Sequence, residues 1–260
     1  MALFLGAGRL VLNGFQQQVS DLAFRDDCEL VLSPASRVTV ERIQRLNGDA
    51  RVVDCLAVDN VVIRDVRGGV RIQVGEDVKL SDIEGDATLS TLTNMQVGLV
   101  HGALDATNCT NLRALSVCGT VDLHGGTNLR IAVEANGHAY GLSVDAAPTN
   151  VVAEVNVVDV DGHGVEIDGG TDISISGVVS RSGQGMGTFD NVHITGAAAG
   201  IRVSELRSRG GGTARAGVFI DEDCTDCIVD GVDFGAAADY GTDDLVDNGT
   251  NTRIGTNWSL

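Results

Sequence analysis

The stretch TNCTNLRALSVCGTVDLHGGTNLRIAV, which runs from Thr107 to Val133, contains the tetrapeptide TNLR twice. The two copies begin at Thr110 and Thr127, 17 residues apart. From Asn60 onward the chain divides every 17 residues into segments that begin with Asn or Asp, followed by apolar, any and apolar residues. These segments begin at Asn60, Asp77, Asn94, Asn111 and Asn128. The two TNLR copies therefore reflect the period of the middle of the chain.

The pattern continues toward the C-terminus with looser spacing. Its further anchors are Asn150, Asp172, Asn191, Asp226 and Asn251. A second apolar pair recurs in the sequences GVRIQ, GVEID, GIRVS and GVFID, which begin at Gly69, Gly164, Gly200 and Gly217. Apolar residues that alternate over a few positions predict short β-strands in which every second side chain faces inward. No sustained helical period is present, so we expect an all-β chain.

Strands this short cannot bury their apolar side alone, but they can do so when they stack as the coils of a solenoid. We therefore expect a single-stranded parallel β-helix of about 10–12 coils, each of about 17–25 residues. The anchoring Asn and Asp residues tolerate the left-handed backbone of a coil turn, and their stacked side chains predict a hydrogen-bonded turn ladder. Residues 1–36 do not follow the repeat and are interpreted as an N-terminal cap or docking segment with a short helix, and residues 37–260 as the β-helix.

The T-N/D-apolar-x-apolar turns and the G-apolar-x-apolar-D strands resemble the right-handed parallel β-helix of the pectin-lyase-like superfamily. The resemblance extends from about Val38 to Ile254 and is closest in character to the spike and fibre β-helices of phages and archaeal viruses. It implies a right-handed solenoid. The 17-residue coil is shorter than is usual in that superfamily, and a left-handed β-helix also has short coils, so both hands stay open.

The chain is strongly acidic, with 36 Asp and Glu against 18 Lys and Arg, a net charge of −18 and a single lysine, Lys79. Such a surface repels nucleic acid and anionic membranes, so we expect neither as a partner. An excess of acidic residues with almost no lysine is typical of proteins from salt-in halophiles. A genome of high GC content, which favours Arg over Lys, gives the same pattern.

The sequence begins without a recognisable signal peptide and has no apolar run long enough to span a membrane, which predicts synthesis in the cytoplasm. Among the 6 cysteines, Cys224 and Cys227 form the one close pair, in CTDC. A single CxxC with no nearby histidine is a weak indication of zinc or redox chemistry. We interpret the cysteines as reduced packing and turn residues, with a disulfide as the alternative, and expect no cofactor.

One segment, DGHGVEIDGG from Asp161 to Gly170, matches part of an active site. Polygalacturonases carry Gly-His-Gly on one coil and Arg-Ile-Lys on a later coil, and the resemblance assigns candidate catalytic roles to His163, Asp161 and Arg202. The Lys and the family's paired carboxylates have no counterpart here. Inverting hydrolysis needs such a pair, about 6.5–9.5 Å apart, so this match is incomplete.

Outward positions of the second strand predict a mostly acidic stripe, formed by Asp105, Asp122, His124, Glu166, Asp168, Arg202 and Asp221. Polysaccharide lyases of the superfamily use Asp-bound Ca²⁺ with an Arg or Lys base. Carboxylates on neighbouring coils can bind Ca²⁺, and Asp105 and Asp122 are the weak metal candidates. A solvated acidic face explains the same stripe, and we expect no resident metal.

A short basic strip is predicted on the outward side of the first strand, at Lys79, Gln96, Arg113 and Arg130. These cations can pair with neighbouring Asp residues of the same chain. Alternatively, the strip is a subunit contact that faces the acidic side of a neighbouring copy.

Taken together, the repeat, the incomplete catalytic set and an aromatic content of 3% favour a non-enzymatic structural protein of a virion, such as a spike, turret, head fibre or tail fibre. The resemblance implies a homotrimer on the virion surface, held to other virion proteins through the N-terminal segment. Its exposed loops, such as 207–216, are expected to contact host glycans. The alternative is a polysaccharide lyase or a polygalacturonase-like glycan-degrading enzyme.

Overall fold

The computed structural model describes residues 2–4, 8–24, 28–46, 51–183, 188–211, 213–235 and 240–259, with the backbone alone at residues 2–4 and 259. Every regular element in these ranges is a β-strand, and the neighbouring strands pair in parallel. The fold is a parallel β-solenoid of about 11 turns, which confirms the predicted all-β class. None of the described residues lies in a helix.

The chain divides into two compact units, Met1–Cys118 and Gly119–Leu260. In the first unit, strands β1 to β13 are, in order, Ala2–Phe4, Arg9–Phe24, Glu29–Arg45, Arg51–Cys55, Val58–Asp59, Val62–Arg67, Gly69–Ile72, Gly75–Glu76, Lys79–Glu84, Ala87–Ser90, Leu92–Val100, Leu104–Thr107 and Thr110–Val117. In the second unit, strands β14 to β27 are Val121–His124, Thr127–Asn136, Leu142–Asp145, Thr149–Val158, Val165–Asp168, Thr171–Ser180, Val192–Thr195, Arg202–Arg209, Val218–Ile220, Ile228–Asp230, Asp233–Gly235, Leu245–Asp247, Arg253–Ile254 and Trp258–Ser259.

Parallel pairing in the first unit begins before residue 37, the predicted start of the β-helix. Strand β2 pairs with β3 from Arg9 opposite Glu29 to Phe24 opposite Arg45. The segment expected to be a cap with a short helix is thus extended where the structure describes it, while residues 1, 5–7 and 25–27 lie outside the described residues. Backbone hydrogen bonds between parallel strands do not require a sequence repeat, so the missing repeat concealed this pairing.

The core of each unit is aliphatic, as the low aromatic content predicts. In β17, Val151, Ala153, Val155 and Val157 are buried, and the residues between them face outward. Their partners in the pairing with β19 include Ile173 and Ile175, which are also buried. The same inward position is therefore filled from coil to coil, and apolar burial between stacked coils stabilises the fold.

Nine of the anchoring residues have a left-handed backbone, with φ between 52° and 59°. They are Asn60, Asp77, Asn94, Asn111, Asn128, Asn150, Asp172, Asp226 and Asn251. In the first unit, the Asn94 amide donates to Asp77 at 3.2 Å, and the Asn111 amide donates to Asn94 at 2.9 Å. In the second unit, the Asn150 amide donates to Asn128 at 2.7 Å, and the Asn251 amide donates to Asp226.

Asn191, the tenth anchor, lies elsewhere. Its side chain is fully buried, and its amide donates to Ser208 Oγ at 2.9 Å and to the Val179 carbonyl at 3.2 Å. The turn position on this coil belongs to Gly200, whose φ is 67°. A glycine adopts this backbone without the steric cost that a Cβ brings, so the coil keeps its turn without Asn or Asp.

All 6 cysteines are free thiols, and Cys118 alone is partly exposed. Burial raises the pKa of the Cys224 and Cys109 thiols to about 11, so both stay protonated at neutral pH. No helix among the described residues is long and apolar enough to cross a membrane.

Candidate functional site

In the second unit, His163, Asp190, His193 and Arg215 form a polar cluster at the N-terminal ends of strands β18 and β20. Val165 and Val192 are register partners, and each is preceded by two residues that lead into its strand. His163 and Asp190 occupy the first of these two positions, so they lie on adjacent coils. The pairing also places Glu166 of β18 opposite His193 of β20, with both side chains facing outward.

The carboxylate of Asp190 is fully buried and has four hydrogen-bond donors. The Arg215 guanidinium donates to its two oxygens at 2.9 and 2.5 Å. The Ala216 N–H donates at 3.1 Å, and His193 Nδ1 lies 2.9 Å from Oδ2. Burial alone would raise the pKa of the Asp190 carboxyl, but the bonds from His193 and Arg215 outweigh burial and hold the pKa below its usual value.

These contacts define the tautomer of His193. Because the Asp190 carboxylate can only accept, His193 Nδ1 must carry the hydrogen that it donates. In neutral His193 the lone pair then lies on Nε2. The side chain of His193 is 16% exposed and that of Asp190 is 0% exposed, so a buried anion orients a histidine at the surface. This is the arrangement by which a carboxylate prepares a histidine to act as a general base.

His163 has the opposite tautomer. Its Nδ1 accepts a hydrogen bond from the Asp190 backbone N–H at 3.0 Å, so its hydrogen is on Nε2. Burial, followed by repulsion from His193, lowers the pKa of His163 to about 4. His163 is therefore neutral at pH 7 and can donate a hydrogen bond from Nε2, whereas its lone pair is already engaged.

Aromatic rings border the two histidines. The ring of His163 lies edge-on to Phe189, with 5.0 Å between centroids, and 4.4 Å from the ring of His193. The His193 ring stacks on Phe219 at 5.2 Å, and the Arg215 guanidinium lies 4.1 Å above the same ring. These contacts fix the orientation of both imidazoles and limit the access of water to their inner edges.

His163, Asp190 and His193 offer potential metal-ligand atoms within 4.8 Å of one another. As folded, however, both oxygens of Asp190 are engaged by Arg215, and the lone pair of His163 accepts from the backbone. Among these ligand atoms, His193 Nε2 alone keeps an unengaged lone pair, because Nδ1 of the same ring donates to Asp190. The donor set therefore fits proton transfer better than metal coordination.

The three predicted catalytic residues are not brought together. His163 lies in the cluster, whereas Asp161 is exposed, and its backbone N–H donates to the His138 carbonyl. Arg202 lies on β21, opposite Ser174 of β19 and Ile228 of β23, and thus belongs to the strand set that follows the turn anchors. The grouping of GIRVS with the second strand was wrong, because Gly200 there occupies the turn position of Asn and Asp.

The weak metal candidates lie in different units and have partners of their own. Asp105 accepts from Thr107 Oγ1 at 3.4 Å in the first unit. Asp122 accepts from the Tyr140 hydroxyl at 2.6 Å in the second unit.

In the second unit, His124 of the predicted acidic stripe lies on β14, Glu166 and Asp168 lie on β18, and Asp221 follows β22, whereas Arg202 lies on the other strand set, in β21. His124 Nδ1 is 2.6 Å from Asp145, Asp168 is the register partner of Thr195, and the Thr195 hydroxyl donates to Asp221 at 3.1 Å. Carboxylates and hydroxyls, which can bind sugar hydroxyls, therefore lie on the coils of the cluster and on the coils next to them.

Sequence reasoning missed Asp190, His193 and Arg215. A signal was present, since DNVHIT aligns with HGVEID when both are taken as second strands. That alignment places Asp190 beside His163 and His193 beside Glu166, as the register of β18 and β20 does. The interpretation of Asn191 as a turn anchor concealed it. Arg215 leaves no such signal, because it reaches Asp190 from 25 residues further along the chain.

No protein-family model matches this chain, and no curated protein sequence matches it. Among solved structures, the A-module of Azotobacter vinelandii mannuronan C-5 epimerase AlgE6 is similar, with a TM-score of 0.56 and 12% identity over 98% of this chain and 91% of that one. The A-module of AlgE4 from the same organism has a TM-score of 0.39 and 11% identity, over 98% and 89% of the two chains. At this identity, the likeness to AlgE6 shows a pectin lyase-like parallel β-helix and nothing about activity.

Proposed function

We propose that this chain is a glycan-modifying enzyme, in which His193 is the general base and Asp190 is its positioning residue. The observation that carries the proposal is the hydrogen bond of 2.9 Å between His193 Nδ1 and the fully buried Asp190 carboxylate. Asp190 differs from a solvated surface carboxylate, because it is buried and is held by an arginine and a backbone N–H. It orients one histidine and leaves Nε2 of that histidine available for a proton.

The cluster favours a lyase-type reaction over hydrolysis. Glycoside hydrolysis uses two carboxyl groups on either side of the bond, whereas Asp190, the carboxylate bonded to His193, is engaged by Arg215 and is not available as an acid or a base. In a lyase step, His193 Nε2 takes the proton on the carbon next to a sugar carboxylate. The C–O bond on the next carbon then breaks, a C=C bond forms, and the leaving oxygen takes a proton from water, while His193 returns its own proton to solvent.

Neutral His163 would hydrogen-bond the substrate in this proposal. Its Nε2–H can donate to a sugar carboxylate or to the departing oxygen, and it cannot compete with His193 as a base because its lone pair accepts from the Asp190 backbone. The proposal is supported by the name of a protein of similar fold, mannuronan C-5 epimerase. A uronate-containing glycan is accordingly the proposed substrate class.

The test is an assay of the purified chain on a panel of polyuronates and neutral glucans. Absorbance of the new C=C bond and release of chain ends are both measured. We expect turnover on at least one polyuronate and a loss of about 10²–10⁴-fold in His193→Ala. Asp190→Asn keeps the shape but favours the other tautomer of His193, so a comparable loss is expected.

The matched control is His101→Ala, a change at an exposed histidine of the first unit, which should keep full activity. Turnover that survives His193→Ala in a folded protein would overturn the assignment of the base. Inactivity of the wild-type chain on the whole panel would favour the virion structural protein predicted from the sequence.

A further inference from the structure

The ion pairing of the basic side chains is uneven. Ten arginines contact carboxylates, namely Arg9, Arg42, Arg51, Arg64, Arg67, Arg71, Arg181, Arg207, Arg209 and Arg215. Arg45 donates to backbone carbonyls, and Arg37 lies over the ring of Phe15. Within the described ranges, the basic side chains with no such partner are Lys79, Arg113, Arg130, Arg202 and Arg253. All five are exposed, in a chain with twice as many acidic as basic residues.

These five residues share one position of the repeat, two residues after the turn anchor. In the first unit, Lys79 is opposite Gln96, and Gln96 is opposite Arg113. In the second unit, the column runs from Arg130 through Val152 and Ser174 to Arg202, and then through Ile228 to Arg253. If the unpaired basic residues were placed at random, they would occupy many positions of the repeat. Their shared position therefore gives each unit a column of unpaired cations.

The column of the first unit lines a depression. It has a volume of about 520 Å³ and is bordered by Lys79, Gln96, Arg113 and the amides of Asn94 and Asn111. Strand spacing of about 4.8 Å places the backbones of Lys79 and Arg113 about 10 Å apart. Lys79 and Arg113 are the two cations of this lining, Asp77 contributes one carboxylate, and the Asn94 and Asn111 amides are engaged in the turn ladder.

An apolar depression of about 470 Å³ lies beside it on the same unit, bordered by Pro34, Ala57, Val74 and Asp59. Asp59 borders the apolar depression, and the next residue, Asn60, borders the polar one. Val74 is 52% exposed and contributes apolar surface to this depression. An apolar patch with charges at its edge is the composition of a protein–protein contact rather than of a groove for a polyanion.

We infer that this surface of the first unit is a contact between two copies of the chain. The inference goes beyond the proposed activity and does not depend on it. Of four adjacent coils, the first carries Asp59, the second carries both Glu76 and Lys79, and the fourth carries Arg113. A two-fold axis between the second and third of these coils brings Arg113 of each copy over Asp59 of the other, so the surface is self-complementary. The partner's coils have the same spacing, which keeps both pairs in register.

The test measures the dissociation constant of the dimer by sedimentation equilibrium of the full chain over a concentration series. Wild type is expected to dimerise, and Arg113→Glu or Asp59→Arg is expected to weaken the dimer roughly tenfold or more. The double variant, Asp59→Arg with Arg113→Glu, restores opposite charges and should recover most of the affinity. Arg202→Glu, at the same repeat position in the second unit, is the matched control and should leave the constant unchanged.

The folding of each variant is checked by circular dichroism and thermal unfolding, and Lys79→Glu replaces any variant that does not fold. A wild-type chain that is monomeric throughout, or a dimer indifferent to Arg113→Glu, overturns the inference. A trimer, which the resemblance to viral β-helices implied, contradicts the two-fold arrangement. A monomer that binds polygalacturonate through Arg113 shows instead that the column is a glycan site. Loss of catalysis with an intact dimer bears on the proposed function alone.

Discussion

At the scale of single residues, the contrast between His163 and His193 is the most informative feature of the molecule. Both imidazoles touch Asp190, but one contacts its backbone N–H and the other its carboxylate. The same residue therefore imposes opposite tautomers on two rings 4.4 Å apart. A neutral donor and an oriented base next to each other are what a proton transfer on a bound substrate requires.

His163 provides a stability prediction. Its pKa falls from the ordinary 6.5 to about 4 in the folded protein, chiefly through burial. The folded state thus binds fewer protons than the unfolded state between these values. The contribution of neutral His163 to the free energy of unfolding is therefore fully present above pH 6.5. It decreases by about 3 kcal/mol as the pH falls to about 4.

We expect His163→Asn to remove most of that pH dependence, because an amide oxygen can replace Nδ1 as the acceptor and does not titrate. Urea unfolding at a series of pH values between 7 and 4 measures it. An unchanged slope in the variant would show that another group is responsible. His101→Asn, at an exposed site, is the control and should keep the wild-type slope.

At the scale of elements, register determines which side chains meet. The pairing of β18 with β20 places Val165 opposite Val192 and thereby brings His163 to Asp190. Gly164, between His163 and Val165, allows this close approach. A Cβ on it would meet the Val179 side chain and come within 2.7 Å of both the Asn191 carbonyl oxygen and Ser182 Oγ. The Gly-His-Gly segment thus has a packing role that is separate from any catalytic one.

The turn ladder of the first unit allows backbone strain and side-chain hydrogen bonding to be separated. Asn94 has a φ of 56°, its side-chain amide donates to Asp77, and its side-chain oxygen accepts from Asn111. Asn94→Gly removes these hydrogen bonds, but glycine adopts the left-handed backbone without strain. We expect the free energy of unfolding to fall by about 1 kcal/mol. Asn94→Ala removes the bonds and strains the backbone, so about 2–3 kcal/mol is expected. Chemical unfolding of both variants measures the difference, and equal losses would mean that strain contributes nothing.

At the scale of the whole molecule, a net charge of −18 opposes the compact state. The described ion pairs include several that are half-buried, such as Arg71 with Asp54, where the bonds are 2.9 and 2.7 Å. The hydrogen bond to Asp54 raises the pKa of Arg71 above its usual value, so this arginine keeps its charge. With 36 acidic and 18 basic residues, however, at least half of the carboxylates cannot pair one to one with a cation. Only water and dissolved ions screen the repulsion among these unpaired carboxylates.

We therefore expect the thermal unfolding midpoint to rise as NaCl increases from about 0.1 M to about 1 M, where the screening length falls from about 10 to about 3 Å. The measurement uses NaCl rather than sulfate, because sulfate stabilises folded proteins regardless of charge. Uncharged sucrose is the control for general solvent effects. A midpoint that is flat or falls with NaCl would contradict both the repulsion argument and the halophilic interpretation.

The sequence by itself determined the coil repeat, the all-β class and the aliphatic core. These follow from local rules, because alternating apolar residues and Asn or Asp at a left-handed turn act within one coil. The 17-residue period also identified the shared position of Lys79, Arg113 and Arg130. Of the cluster, the sequence supplied only His163, through the segment GHG.

The tertiary structure decided which coils meet and in what register. Asp190, His193 and Arg215 are 27, 30 and 52 residues beyond His163, across coils of unequal length, so no fixed spacing connects them. The same uncertainty placed Asn191 and Arg202 on the wrong strands. A shift by one residue turns a side chain to the opposite face of its strand, and only the hydrogen bonds between coils fix that choice. Burial of Asp190, and with it the tautomers of both histidines, follows from packing between coils and could not be read from any single repeat.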